Sequence, residues 1–210
     1  MKKLLLIFCI SLICSCGTKE LSSDQIVERN GLSYEINSQT PFTGKVISTV
    51  DNSLLKQSFK DGKREGLTEQ YHENGQLWKK GLFKNGEQEG SWEVYYENGQ
   101  LDSIESYKDG IDHGPWEFYH ENGQLESKEF FKDGKLEGSW ESYYENGQLH
   151  SIGSSKDGER EGSWESYHEN GQLESKRSYK DGKLEGSWEK YDENGQLETT
   201  VFYKDGEKVP

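Results

Sequence analysis

From about residue 59 the chain alternates between side chains that seek water and side chains that avoid it, in short stretches bounded by Asn-Gly or Asp-Gly. In "GSWESYYENGQL", residues 138–149, Trp140 sits between Ser139 and Glu141, and Tyr143 follows Ser142 just before the Asn146-Gly147 pair. A period of two with such dipeptides at both ends predicts β-strands joined by tight hairpins. No stretch after residue 16 has the 3.6-residue period of a helix. The glycine of "ENG" falls at Gly75, Gly99, Gly123, Gly147, Gly171 and Gly195, and that of "KDG" or "KNG" at Gly62, Gly86, Gly110, Gly134, Gly158, Gly182 and Gly206. Both series step by 24 residues, the mark of a repeat architecture whose units are stable only beside one another. A rhythm of 48 lies over it, with His72, His120 and His168 alternating with Tyr96 and Tyr144.

Hairpin geometry turns this spacing into faces. Centring a loop on Asn98-Gly99 pairs Tyr96 with Leu101, Val94 with Ser103 and Trp92 with Glu105. Centring the next on Asp109-Gly110 pairs Ser103 with Trp116. Partners across strands share a face and faces alternate along a strand. Trp92, Trp116, Trp140, Trp164 and Trp188 are therefore expected in one structural column, beside a column of Leu77, Leu101, Leu125, Leu149, Leu173 and Leu197. Tyr71, Tyr95, Tyr119, Tyr143, Tyr167 and Tyr191 are expected on the other face, with Glu69, Glu93, Glu117, Glu141, Glu165 and Glu189. The fold expected is all-β, an elongated single-layer antiparallel meander of tandem 24-residue β-hairpin repeats. About fourteen strands would reach roughly 65 Å. The Trp face, the more apolar, is expected to supply stability, and the Tyr-Glu face to remain for water and a partner.

The ends differ. Lys2 and Lys3 precede the apolar run Leu4 to Ile13, which has the length of a signal-peptide core and is too short to span a bilayer. The following "LICSCG" resembles the lipobox of bacterial lipoproteins, which implies lipidation of Cys16 after removal of residues 1–15. Gly17 after that cysteine, by resemblance to enterobacterial sorting rules, points to the outer membrane. Residues 16–31 are polar and read as a flexible tether, 32–58 as a degenerate repeat or cap, and 59–210 as the repeat array. Thr68 stands where other units carry the column Trp, Ser155 where they carry Tyr or Phe, and Pro115 where they carry Ser, so packing is expected to be poorest near residues 153–156.

Composition narrows the chemistry. The mean hydropathy is −1.04 and 30% of residues are charged, yet 6 Trp, 12 Tyr and 8 Phe are far more aromatics than a disordered chain carries. The formal charge of −14 becomes −16 once Lys2 and Lys3 leave with the leader. Such a surface repels phosphate backbones, which excludes nucleic acid and leaves the lipid as the sole membrane link. All three cysteines lie in the first 16 residues, so the repeats hold no disulfide and no thiol nucleophile. Of the five histidines, His72, His113, His120, His150 and His168, three share one repeat position just before the Asn-Gly turn and are expected about 19 Å apart, too far to share a metal. The carboxylates repeat in every unit, whereas a hydrolase needs one preorganised pair in a cleft. No enzyme, metal or cofactor is expected.

The pattern G-x-W-x-x-Y-x-x-N-G-x-L-x(5)-[YF]-K-x-G-x-x-x-G resembles the MORN-variant repeat of bacterial proteins, a family also named for YwqK-type antitoxins. The resemblance covers roughly residues 32–208 and implies a β-hairpin repeat. The function expected is a membrane-anchored protein that binds a protein partner or scaffolds an envelope assembly. Neutralisation of a cognate toxin and glycan or cell-wall binding through aromatic ladders are the alternatives.

Overall fold

The computed structural model describes residues 18–210. Cys16 and the leader over 1–15 lie outside the described residues. From Gly44–Val50 to Glu207–Val209 successive strands pair antiparallel, with Ile111–Asp112 and Lys135–Leu136 as two-residue strands that pair only backward, so that Gly114–Tyr119 pairs with Leu101–Lys108 and Gly138–Tyr143 with Leu125–Lys132. With Glu20–Ser22 added in parallel to the outer edge of Gly44–Val50, they form one 18-stranded sheet.

The two kinds of turn are built differently. Asp109 (φ 49°) and Gly110 (φ 77°) both adopt left-handed backbone, the type I′ geometry expected of Asp-Gly. At the other edge only Gly99 is left-handed, at φ 85°. Tyr96 accepts from the Gly99 amide at 2.9 Å and its own N–H donates to the Gln100 carbonyl at 2.9 Å. This is a three-residue loop closed by a glycine bulge, not a two-residue type I′ turn. Its centre is displaced by half a residue, so Leu101 pairs with Tyr95 and not with Tyr96. A bulge at Asp102 then restores the expected register, and Val94–Ser103 and Trp92–Glu105 pair as the sequence predicts.

The bulge recurs at Trp78, Glu126, His150, Glu174 and Glu198, and it corrects the expected leucine column. Opposite Tyr71, Tyr95, Tyr119, Tyr143, Tyr167 and Tyr191, the leucines leave the Trp face. A second offset follows the lysine-led turns from Asp61-Gly62 to Asp181-Gly182. At Gly114 (φ 112°) the register moves by two residues, and Ser103 faces Phe118 in place of Trp116. Because the shift is even, it leaves the Trp column on its face.

Burial follows the faces. The buried strand side chains Val46, Thr68, Trp92, Val94, Ser103, Ser127, Ser155, Trp164 and Ser175 all share the Trp face. An aromatic zigzag runs Phe83–Trp92–Tyr107–Trp116–Phe131, with ring centroids 5.2, 6.4, 5.5 and 5.1 Å apart. Near residues 153–156, where poor packing is expected, Ser155 is only 5% exposed. Trp140 there stacks directly on Trp164, 5.3 Å between centroids and 29° between planes. Gly153 makes this possible, since a Cβ on it would lie 2.2 Å from the Trp164 ring. Gly81 plays the same part for Trp92, at 2.1 Å. Trp92 and Trp164 are the tryptophans buried among the described residues, at 3% and 9% exposure.

In place of the flexible tether expected over 16–31, its described part carries strands. Glu20–Ser22 docks on the sheet edge. Ile26–Arg29 pairs antiparallel with Leu32–Glu35 through Asn30-Gly31, whose φ values of 53° and 74° are again type I′. Backbone pairing, which needs no apolar periodicity, orders this polar segment. The next segment is held to the array by the amides of Ser33 and Gly62, which donate to Gly62 and Phe42 carbonyls, each at 2.8 Å. Phe42 is 4% exposed against Phe59.

Candidate functional site

On the face opposite the tryptophans, cross-strand partners form one unbroken row along the sheet. It reads Ile47, Lys56, Glu69, Lys80, Glu93, Ile104, Glu117, Lys128, Glu141, Ile152, Glu165, Lys176, Glu189, Thr200. A glutamate returns on every second strand, and the position between glutamates alternates between Lys and Ile through the middle of the array. The 48-residue rhythm of the sequence is thus written across this surface. Lys80 reaches Glu93 at 2.9 Å, and Lys176 reaches Glu165 at 2.9 Å.

Each glutamate is joined to the tyrosine two residues on. Hydroxyls of Tyr71, Tyr119, Tyr167 and Tyr191 donate to Glu69, Glu117, Glu165 and Glu189 at 3.2, 2.6, 2.7 and 2.6 Å, and Tyr95 and Tyr143 donate likewise to Glu93 and Glu141. All the sequence-predicted Tyr and Glu positions therefore fall on one face and in contact. The carboxylates disfavour phenolate. The Tyr143 and Tyr167 hydroxyls are pushed up to about 12 by Glu141 and Glu165 and by burial, and Tyr119 up to about 12 by burial and Glu117. In return Tyr95 holds Glu93 below the usual carboxylate range, and Tyr167 with Lys176 does the same for Glu165.

Sequence reading missed two sets of inter-repeat ties at the sheet edges. At the Asn-Gly edge, the side chains of His72, Tyr96, His120, Tyr144 and His168 donate to the carbonyls of Tyr95, Tyr119, Tyr143, Tyr167 and Tyr191, at 2.8, 2.6, 2.9, 2.7 and 3.1 Å. At the other edge, Glu65, Glu89, Glu137, Glu161 and Glu185 accept the amides of Asn85, Asp109, Asp157, Asp181 and Asp205 at 2.7 to 3.0 Å. The recurrence of these Glu residues four before each column-strand Glu was the available signal. His72, His120 and His168 thus serve the backbone, and among the described residues no group of three or more His, Cys, Asp or Glu is placed to hold a metal ion.

The repeat-family model described as "MORN repeat variant" matches residues 64–85, 88–109, 112–133, 136–157, 160–181 and 184–205. The chain belongs to the MORN repeat variant family. The six matches start 24 residues apart, in register with the hairpins, and together span more than half of the chain. Each MORN match contains one Asn-Gly hairpin and ends in a lysine-led turn. No curated protein matches the chain. Among solved structures, the crystal structure of accessory secretory protein 1,2 and 3 in Streptococcus pneumoniae is 17% identical with a TM-score of 0.18, covering 71% of this chain and 21% of that one. The chain therefore spans about a fifth of that protein's length.

Proposed function

We propose that the protein is a non-catalytic, lipid-anchored binding ribbon that engages a protein partner through its Tyr-Glu face. The observation that carries this reading is the unbroken row from Lys56 to Glu189. Every glutamate there is oriented by a tyrosine hydroxyl, and equivalent Tyr-Glu pairs recur about 10 Å apart, two strand spacings. Tyrosine supplies contact area at low entropic cost and the carboxylates retain lone pairs for donors. The partner this fits presents lysine or arginine at matching spacing along an extended surface. The other face is committed to the aromatic zigzag, and a chain of net charge −14 is unsuited to anionic polymers and headgroups. Cys16 would supply the anchor.

Photo-crosslinkers placed at Tyr143 and at Ser142, adjacent residues on opposite faces, test the face. Crosslinking to one protein from position 143, with little or none from 142, is expected. The reverse pattern would reassign the binding face. Metabolic lipid labelling that persists in a Cys16→Ala variant would contradict the anchor.

A further inference from the structure

The Trp face carries one local departure from the repeat. Around Trp140 and Trp164 lies a cavity of about 250 Å³, lined also by Arg160, Arg177, Glu165, Glu174, Ser151, Ser166 and Ser175. The chain has four arginines, and two of them meet here. Arg160 lies 4.5 Å over the Trp164 ring and bonds the Tyr179 hydroxyl at 3.1 Å. Arg177 is the cross-strand partner of Trp164 and lies 4.9 Å over Trp188. Among the described residues neither arginine forms an ion pair with a carboxylate, while the lysines of the opposite face do. The Arg177 Nε is buried without a hydrogen-bond partner. Two guanidinium groups without a carboxylate ion-pair partner thus line one cavity, Arg160 over Trp164 and Arg177 over Trp188, and an anion there would meet both.

The cavity is also polar in a graded way. Arg160 follows the Asp157-Gly158 turn, and Tyr179 precedes Asp181-Gly182, so both lie toward the Asp-Gly edge. Glu174 and His150 are bulge residues just after the Asn-Gly loops, at the opposite end. Arg160 at one end, Arg177 midway, the Glu174 carboxylate at the other end and the edge of a stacked indole pair between them suit a ligand with distinct parts. A carboxylate meets the Arg160 fork bidentately, hydroxyls donate to Glu174 and exchange hydrogen bonds with Ser151, and the C–H face of a saturated ring lies on the half-buried Trp140, which Trp164 backs. The volume admits a single ring, being just below the range of drug-sized pockets.

We infer that this cavity binds an acidic sugar, a hexose ring bearing a carboxylate, at a site separate from the proposed partner face. The probe is D-glucuronate, titrated into the purified protein while tryptophan fluorescence and the melting temperature are recorded. Saturable quenching is expected, with D-glucose and acetate each at least about tenfold weaker, because each lacks one half of the recognition. Arg160→Gln should weaken glucuronate about tenfold, and Arg160→Lys should fall between, having charge without the fork. Arg64→Gln, which removes a guanidinium lying over Phe83 outside the cavity, should leave binding unchanged. Arg160 is exposed, so losing its contacts with Trp164 and Tyr179 should lower the melting temperature of its variants by only a few degrees and leave them folded. No saturable response to glucuronate, an equal response to glucose, or Arg160→Gln binding as tightly as the parent would overturn the site. Equal affinity for acetate would overturn the sugar assignment.

Discussion

Trp92 and Trp164 show how a side chain in a one-layer sheet finds enough protein to cover it. Each sits where the neighbouring strand carries a glycine, and its ring occupies the space a Cβ would take. Trp116 and Trp188 face longer side chains and stay half-buried. Truncating Trp164 to Ala should cost about 3–5 kcal/mol, the range for a large buried aromatic. Tyr167→Ala, three residues on and on the other face, should cost under about 1.5 kcal/mol, since the pair it breaks is close to solvent. Urea midpoints of the two variants check this, and equal losses would contradict the assignment of faces. The Tyr-Glu contacts predict an alkaline limit as well. A hydroxyl whose folded value is raised stabilises the fold fully below the unfolded value and loses that contribution as pH rises through the folded one. With Tyr119, Tyr143 and Tyr167 at about 12, against a reference of 10, stability should hold to about pH 10 and fall between 10 and 12. Phenolate absorbance should rise over the same window, and ionisation of all tyrosines near pH 10 in the folded protein would contradict it.

At the scale of the hairpin, what the sequence made legible and what it hid have the same source. Alternation fixed the faces of Trp92, Tyr95 and Glu93, because parity survives an even register shift. It misplaced Leu101, because one loop uses three residues where Asn-Gly suggests two, and a compensating bulge at Asp102 is invisible to a period-two reading. It also placed a gap at Ser155, since a missing ring is read from one position. Closure by Trp140 on Trp164 depends on Gly153 in a neighbouring strand. The edge ties were hidden in plain repetition: Glu137 accepts the Asp157 amide at 2.9 Å, and similar bonds join other repeats. Glu137→Ala should cost about 1 kcal/mol and speed exchange of the Asp157 amide about fivefold, with little effect at Asp205. Unchanged protection at Asp157 would show that the carboxylate does not hold that turn.

The whole molecule follows from pairing between neighbours: among the described repeats a strand is skipped only at the two-residue strands Ile111–Asp112 and Lys135–Leu136. Each longer strand from Ser53–Lys60 to Leu197–Lys204 is bonded to the longer strands next to it in the chain, so length grows with every hairpin and no second layer is needed to bury the Trp face. Folding of such an array draws on contacts close in sequence, and stability spreads through the interfaces between units. A sheet of about fifteen full strands at 4.8 Å spacing is about 70 Å long, and with strands about 27 Å across its radius of gyration is about 22 Å. Small-angle scattering from residues 18–210 tests this single-sheet architecture most directly. The sheet predicts a radius of gyration of about 22 Å and a distance distribution skewed to long distances, whereas a symmetric distribution with the value of about 16 Å expected for a compact domain of this length would contradict it.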